Sequence, residues 1–302
     1  MNSGEELARL MFLIRLWWEK SIDIRGATGK QTKENVNKWL TEFEYTFSQY
    51  SLNTSKAYMV EGAREVSDAI QTQRGLPKLD TSDQVFLIAY KQRTQQMAGK
   101  IFAQARGMRN DLAIQWKDKK KVDAFYDNWD KYQRESNSLG LSLKEQVEGF
   151  LARDKTARTL TYLRDSAGRQ WRPDAYSAMF TRTRGRELED IVRMDEAREM
   201  GVNIVQVSNA GTTTPICLNY EGKYYWVDTP VQGLERLPLR TPFHPNCVHR
   251  IYPIVRDNQT KFIKTNANKE RKFKKASKDF TDGQKRATEK QTKWNLANRI
   301  QV

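Results

Sequence analysis

Cysteine and histidine are almost missing from this sequence, with two of each in 302 residues. Two cysteines are too few for the multi-bridge framework of a small secreted scaffold. They leave room for a single bridge, or for one metal centre of mixed Cys/His type. Long apolar runs are missing too. Leu10-Met11-Phe12-Leu13-Ile14 is hemmed in by Glu5, Glu6, Arg9 and Arg15. It is too short to span a bilayer and has no small-residue cleavage site, which points to a protein made and kept in the cytosol, or assembled there. There is no Walker A loop, no dinucleotide fingerprint, no Gly-x-Ser-x-Gly elbow and no metalloprotease helix motif, so the chemistries that depend on them are not expected. Hydrophobic residues make up 38% and charged ones 29%, a balance that suits a helical, surface-rich protein better than a compact α/β enzyme.

What is present is mostly helical periodicity. Leu7, Leu10, Met11, Ile14, Trp17 and Trp18 recur at helix spacing over 4–20. Thr32 is placed to cap a second helix with the apolar face Val36, Trp39, Leu40, Phe43 and Phe47. Another helical segment covers 54–73 and is broken by Gly75-Leu76-Pro77. Thr81 with Gln84 reads as a cap opening a long helix through Val85, Ile88, Met97, Ile101, Phe102, Met108, Leu112 and Trp116. A short helix follows at 121–134, and Ser142 with Glu145 forms a second capping box. Residues 1–157 are therefore expected to be a helical scaffold or docking domain.

The pattern changes near residue 158. Thr159–Leu163 alternates like a strand, Asp165–Arg169 has turn chemistry, and Gln170-Trp171 begins a return strand. Pro173 suits the first turn of a helix running to Met200, with Gly201 as its C-cap. Strands are expected at Ile204–Val207, Tyr224–Val227 and Val248–Val255. The expected fold class is α+β: a mainly α-helical N-terminal region, a small α+β C-terminal module over 158–255, and a basic C-terminal tail over 256–302.

The net charge of +15 is distributed unevenly. Residues 256–302 hold 14 Lys/Arg against 5 Asp/Glu, a net of +9, which leaves +6 for the other 255 residues. The partner implied by this charge should therefore contact the tail. With Phe262, Phe273, Phe280 and Trp294 widely spaced, the tail is expected to be disordered, or helical only on a partner. Lys269, Arg271, Lys272, Lys274, Lys275, Lys278, Lys285 and Arg286 are its candidate contacts to nucleic-acid phosphates, of the salt-sensitive, sequence-independent kind. A second basic run, Arg182-Thr183-Arg184-Gly185-Arg186, reads as a phosphate or carboxylate contact, or as a solvated helix face ion-paired to Glu187, Glu189 and Asp190.

All the cysteine and histidine lie in one stretch. His244, Cys247 and His249 fall within six positions, and Cys217 lies 30 residues before Cys247, on an expected hairpin ahead of the turn Glu221-Gly222-Lys223. These four suffice for a Cys2His2 zinc site of structural type, although the spacing is not that of a classical zinc finger. In an extended segment Cys247 and His249 project to one face, and Pro242 and Pro245 hold His244 in a turn. The alternatives are a disulfide, which a reducing cytosol disfavours, or plain buried thiols and imidazoles. A catalytic metal would also need an open position and a base, for which Glu221 and Asp228 are the candidates.

Several motifs occur here in a specific order: Asp165…Gly168-Arg169-Gln170-Trp171, Tyr176-Ser177-Ala178-Met179, Arg182-Thr183, a helix ending at Gly201, the strand Ile204–Ser208, Cys217 before Glu221-Gly222-Lys223, and His244-Pro245-Asn246-Cys247-Val248-His249 before Tyr252-Pro253. Over 158–255 the chain resembles the tailed-phage minor capsid protein 2 family, related to the Mu F-like minor head proteins. Cys217 is followed by Leu218-Asn219-Tyr220 where the family has a more polar or aromatic run, and Val248 stands where Arg is common. The resemblance implies a non-enzymatic virion protein present in few copies, assembled in the bacterial cytoplasm. Its place would be inside the capsid near the portal, with portal and capsid proteins as partners, a role in head assembly and DNA packaging or ejection, and no membrane in the assembly state. Double-stranded DNA, bound non-specifically by the tail, would be a further partner. A metal- or thiol-dependent enzyme acting on nucleic acid or a host protein, with Cys247 and His244 or His249 as nucleophile and base, is the alternative. A host nucleic-acid-binding zinc protein is a third reading, distinguished by having no particle association.

Overall fold

The computed structural model describes residues 29–77, 82–165, 168–238, 240–255, 258–279 and 282–297. The helix expected at 4–20 lies outside them. The described chain contains helices α1 (Gly29–Gln73), α2 (Asp83–Ala89), α3 (Lys91–Gln115), α4 (Lys119–Ser138), α5 (Leu143–Arg153) and α6 (Lys155–Thr161), then strands β1 (Leu163–Arg164) and β2 (Gln170–Trp171) and helix α7 (Pro173–Glu199). Strand β3 (Ile204–Val207), helix α8 (Pro215–Tyr220), strands β4 (Tyr224–Trp226), β5 (Glu235–Arg236) and β6 (Ile251–Ile254), and helices α9 (Gln259–Lys278) and α10 (Asp282–Ala297) follow. The mainly helical α+β class holds.

Several local expectations change. The two helices anticipated before residue 73 are one continuous helix, so Thr32 lies inside α1 rather than capping it. No proline or glycine interrupts residues 48–55, and Ser51 and Ser55 are buried in the helix rather than bending it. The long helix expected after residue 81 breaks at Tyr90, and its cap residue is Ser82, which makes no side-chain cap bond; Thr81 lies outside the described residues. Residues 159–161 continue helix α6, whose N-cap Asp154 accepts from Ala157 N, so the β1 strand is only Leu163–Arg164. The Ser142/Glu145 capping box is present in full, and Gly201 ends α7 with the left-handed φ of 71° that glycine adopts without a Cβ clash.

The tail is the largest correction. It forms helices α9 and α10, and both pack on α8. Phe262 is 4% exposed and joins Ile204 and Leu234 in a small apolar cluster, with its ring stacked 4.3 Å from that of Tyr224. Asn266 bridges the main chain of Tyr224, accepting from its N–H at 2.8 Å and donating to its C=O at 2.7 Å. One well-placed aromatic and one amide thus anchor a helix whose composition alone reads as disordered.

By contacts the chain forms two compact units: Met1–Asn53 with Ala98–Met179, and Thr54–Met97 with Phe180–Val302. In the first, α4 packs on α5 and α6. Their core is aromatic: Trp129 meets Phe150 edge-on at 5.2 Å, and Phe125 meets Phe150 at 5.6 Å. Along α1, Phe43 stacks between Trp39 and Phe47. The β1–β2 turn is organised by Asp165, which accepts from Arg169 N at 3.0 Å and Trp171 Nε1 at 3.0 Å.

In the second unit the sheet order is β5-β4-β3-β6. β3 pairs antiparallel with β4 and β6, while β4 and β5 run parallel. Pro253 sits in β6, an edge strand, where its missing N–H is tolerated. One face of the sheet packs on Met194, Ile216, Cys217, Phe243 and Cys247. Gly185 lies beneath the Tyr58 ring, where any Cβ would collide with it.

Candidate metal centre and basic helices

Cys217 sits on α8, not on a hairpin. Pro215 sits in the first turn of this helix and Glu221 caps its end. Cys217 is 1% exposed and Cys247 3%, and both are free thiols. Residues 244–250 form no strand, yet the chain is extended enough after Cys247 for side chains to alternate. Cys247 and His249 turn inward while Val248 is 55% exposed. Asn246 takes a left-handed φ of 64°, and Cys247 N donates to His244 O at 3.0 Å, closing the turn that presents the site.

Three of the four residues singled out above converge, and the fourth, His244, reaches Cys217. Donor atoms of Cys217, Cys247 and His249 lie mutually within 4.8 Å. Cys247 Sγ is 3.5 Å from His249 Nδ1, and His244 Nε2 is 3.1 Å from Cys217 Sγ. Sulfur and nitrogen bound to one tetrahedral zinc would stand about 3.6 Å apart, so the donor set fits a metal of that kind. Cys217, Cys247 and His249 can hold an ion, with His244 adjoining through Cys217.

The electrostatics of the site are polarised. The hydrogen bond to Cys247, reinforced by burial, drives the Cys217 thiol far above its ordinary pKa. The same bond, with help from His249 and main-chain donors and against the effect of burial, holds Cys247 well below its own. Burial depresses the His249 imidazolium, but Cys247 and Glu221 outweigh it and the net shift is upward. Of the two sulfurs, Cys247 is the one whose surroundings favour the thiolate, the form that ligates a metal or acts as a nucleophile.

Sequence reasoning missed what grips this loop. The basic run on α7 is only partly solvated: Arg182 is exposed and Arg186 half-buried, while Arg184 is buried with Thr181, Thr183, Glu187, Glu189 and Asp190. Arg184 pairs locally with Glu187, but Arg182 Nη2 donates to Asn246 Oδ1 at 3.1 Å and Arg186 Nη1 donates to Cys247 O at 3.2 Å. Asp190 lies close to the Ile251 main chain. Positions 182, 186 and 190 form one helical stripe that clamps the cysteine-bearing loop and the start of β6. The four-residue spacing was visible; the partners, some 60 residues away, were not. Deeper in the same helix Arg193 donates to Glu189 at 2.8 Å and also pairs with Glu65.

The candidate phosphate contacts fall into two groups. Lys269 is half-buried and donates to Asn209 Oδ1 at 2.9 Å. Arg271, Lys272, Lys274, Lys275 and Lys278 on α9, and Lys285 and Arg286 on α10, are exposed. Arg271 contacts Asn268, Lys274 lies 4.0 Å from Glu270, and Lys285 lies 3.9 Å from Asp282. With Lys264, the residues Arg271, Lys275 and Lys278 recur at intervals of seven, four and three, a basic stripe on α9 away from its Phe262/Asn266 face. Among the described residues no helix is long and apolar enough to cross a membrane.

Fold and site together define a mainly helical protein whose small α+β module encloses a thiol–imidazole cluster and carries basic helices on its outside. The family described as Phage minor capsid protein 2 matches residues 123–294, more than half of the chain, and the protein belongs to that family. It is a structural component of the phage head. The match extends beyond 158–255 on both sides, from within α4 to within α10. Comparisons with curated proteins and with solved structures find no match.

Proposed function

We propose that this protein is a non-enzymatic minor head protein held at the portal inside the capsid, with α9 and α10 touching packaged double-stranded DNA. The N-terminal helices (1–157) dock on portal or capsid proteins. The module over 158–255 is made rigid by a structural zinc at Cys217, Cys247, His249 and His244. Residues 256–302 provide the DNA contact during packaging or ejection. The observation that carries this reading is the basic stripe Lys264, Arg271, Lys275 and Lys278, displayed on a helix whose other face is committed to the module. A one-sided array of cations at helical spacing suits a phosphate backbone without base readout.

Removing 256–302 would be a poor test, because it would also strip Phe262 and Asn266 from the module. Replacing Arg271, Lys275 and Lys278 with Gln leaves that face intact. The triple variant is expected to bind duplex DNA more weakly. The log–log dependence of affinity on salt should be shallower by about 0.9 for each phosphate that is no longer neutralised. Unchanged affinity and slope would refute the DNA assignment, and failure of the wild-type chain to sediment with portal-bearing heads would refute the docking assignment.

The second reading, a thiol enzyme acting on nucleic acid or a host protein, draws on the Cys247–His249 contact backed by Glu221. It requires a substrate to reach Cys247, a residue that is 3% exposed. Turnover that disappears in a folded Cys247→Ala variant would favour it.

A further inference from the structure

Glu221 holds a position that the metal ligands alone do not explain. Its carboxylate is buried, with a side-chain exposure of 6%, and Oε1 lies 3.5 Å from His249 Nε2. The same oxygen accepts from the main-chain N–H groups of Gly211 and, at 3.4 Å, Thr212. Glu221 is not among the donors that lie mutually within 4.8 Å; it stands behind the His249 ring, while Nδ1 on the opposite side looks toward Cys247 Sγ. Helix α8 thus supplies both a ligand and the group behind another ligand. Cys217 and Glu221 are four residues apart, joined by the bond from Glu221 N to Cys217 O at 2.9 Å.

We propose that Glu221 is the positioning residue of the metal centre, fixing His249 as an Nδ1 ligand; this rests on the metal reading above. An imidazole that binds a metal through one nitrogen carries its proton on the other, and a carboxylate on that second nitrogen selects the tautomer and locks the ring. Here Nε2 is the nitrogen that meets the carboxylate, so Nδ1 keeps its lone pair for the metal. Nε2 is buried and has no formed hydrogen bond among the described residues. At 3.5 Å its contact with Glu221 is close but not closed, and fixing the ring on a metal supplies the reason for closing it. The two main-chain donors hold Glu221 in place and tie the 209–214 loop to the state of the site.

The test uses the full-length chain and zinc itself. Competition with a chromophoric chelator should show Glu221→Gln binding zinc about 10–100-fold more weakly than wild type, while Cys247→Ser loses binding altogether. Long-range nitrogen–proton NMR of the zinc-loaded wild-type protein, which needs no variant to fold, should show His249 metal-bound at Nδ1 and protonated at Nε2. A zinc-loaded wild type with His249 bound through Nε2, or a folded Glu221→Gln variant with wild-type affinity, overturns the role of Glu221 and leaves the metal reading standing. A wild type that binds no zinc overturns both.

Discussion

Around Trp129 the first unit buries ring against ring, whereas around Arg193 the second buries charge against charge. Trp129, Phe125 and Phe150 carry no ionised group and need only shape and area. Arg193, 1% exposed, needs Glu189 and Glu65 in place, just as Cys247 needs Cys217, His249 and the Arg186 clamp on its carbonyl. Non-directional packing tolerates repacking; a buried polar network does not, because removing one partner strands another group. The second unit is therefore built for a defined geometry, and it is also where the candidate metal centre and the basic helices lie.

The largest expected effects break each core at its centre. Trp129→Ala and Arg193→Ala should each cost about 3–5 kcal/mol, the first through reduced burial and a cavity, the second by leaving buried Glu189 with only Arg250, 3.5 Å away, as a cation. Denaturant unfolding checks both. What separates them is rescue: adding Glu189→Leu to Arg193→Met should recover much of the loss, since replacing a whole buried pair with apolar groups is often neutral. No single charge change should rescue Trp129→Ala.

A smaller effect concerns Asp190. Burial, with the neighbouring Glu189, raises its carboxyl well above the ordinary value. An acid whose pKa is higher in the folded state binds more protons when folded, so its contribution to stability is fully present below the unfolded value of about 3.9 and is lost as pH rises through the folded value. Asp190→Asn, which keeps the shape of the side chain without its charge, should stabilise the protein at neutral pH and flatten the pH dependence of its melting temperature above about pH 4. An unchanged profile would mean that Asp190 is not held in a protonation-sensitive site. The smallest effect is local to the first unit: Ser142→Ala removes a complete capping box and should cost about 1 kcal/mol with no change in metal content.

Where structure depends on neighbours in sequence, it could be read directly. The Ser142/Glu145 box, the Pro173-to-Gly201 helix and the strand at Ile204–Val207 are local events, and all are present. The meeting of Cys217, Cys247 and His249 was legible because no other cysteine and only one other histidine competes. What stayed hidden depends on remote partners. The basic run at 182–186 reads as a phosphate or carboxylate contact, or as a solvated face, until Asn246 and Cys247 are folded against it. The last 47 residues read as disordered, or helical only on a partner, until Phe262 meets Tyr224 and Asn266 meets the β4 main chain. Glu221 was visible as an acid near a possible metal, but only the fold places it behind His249 rather than at an open coordination position.

The central claim is that the Cys/His cluster is a metal clasp rather than a reactive thiol site. Metal analysis of the purified wild-type protein, coupled to thiol titration before and after a chelator is added, tests it most directly. The account predicts one zinc per chain and no reactive thiol until the chelator removes it, after which two thiols titrate. A metal-free protein whose two thiols react at once, or whose cysteines are joined as a disulfide, would contradict it.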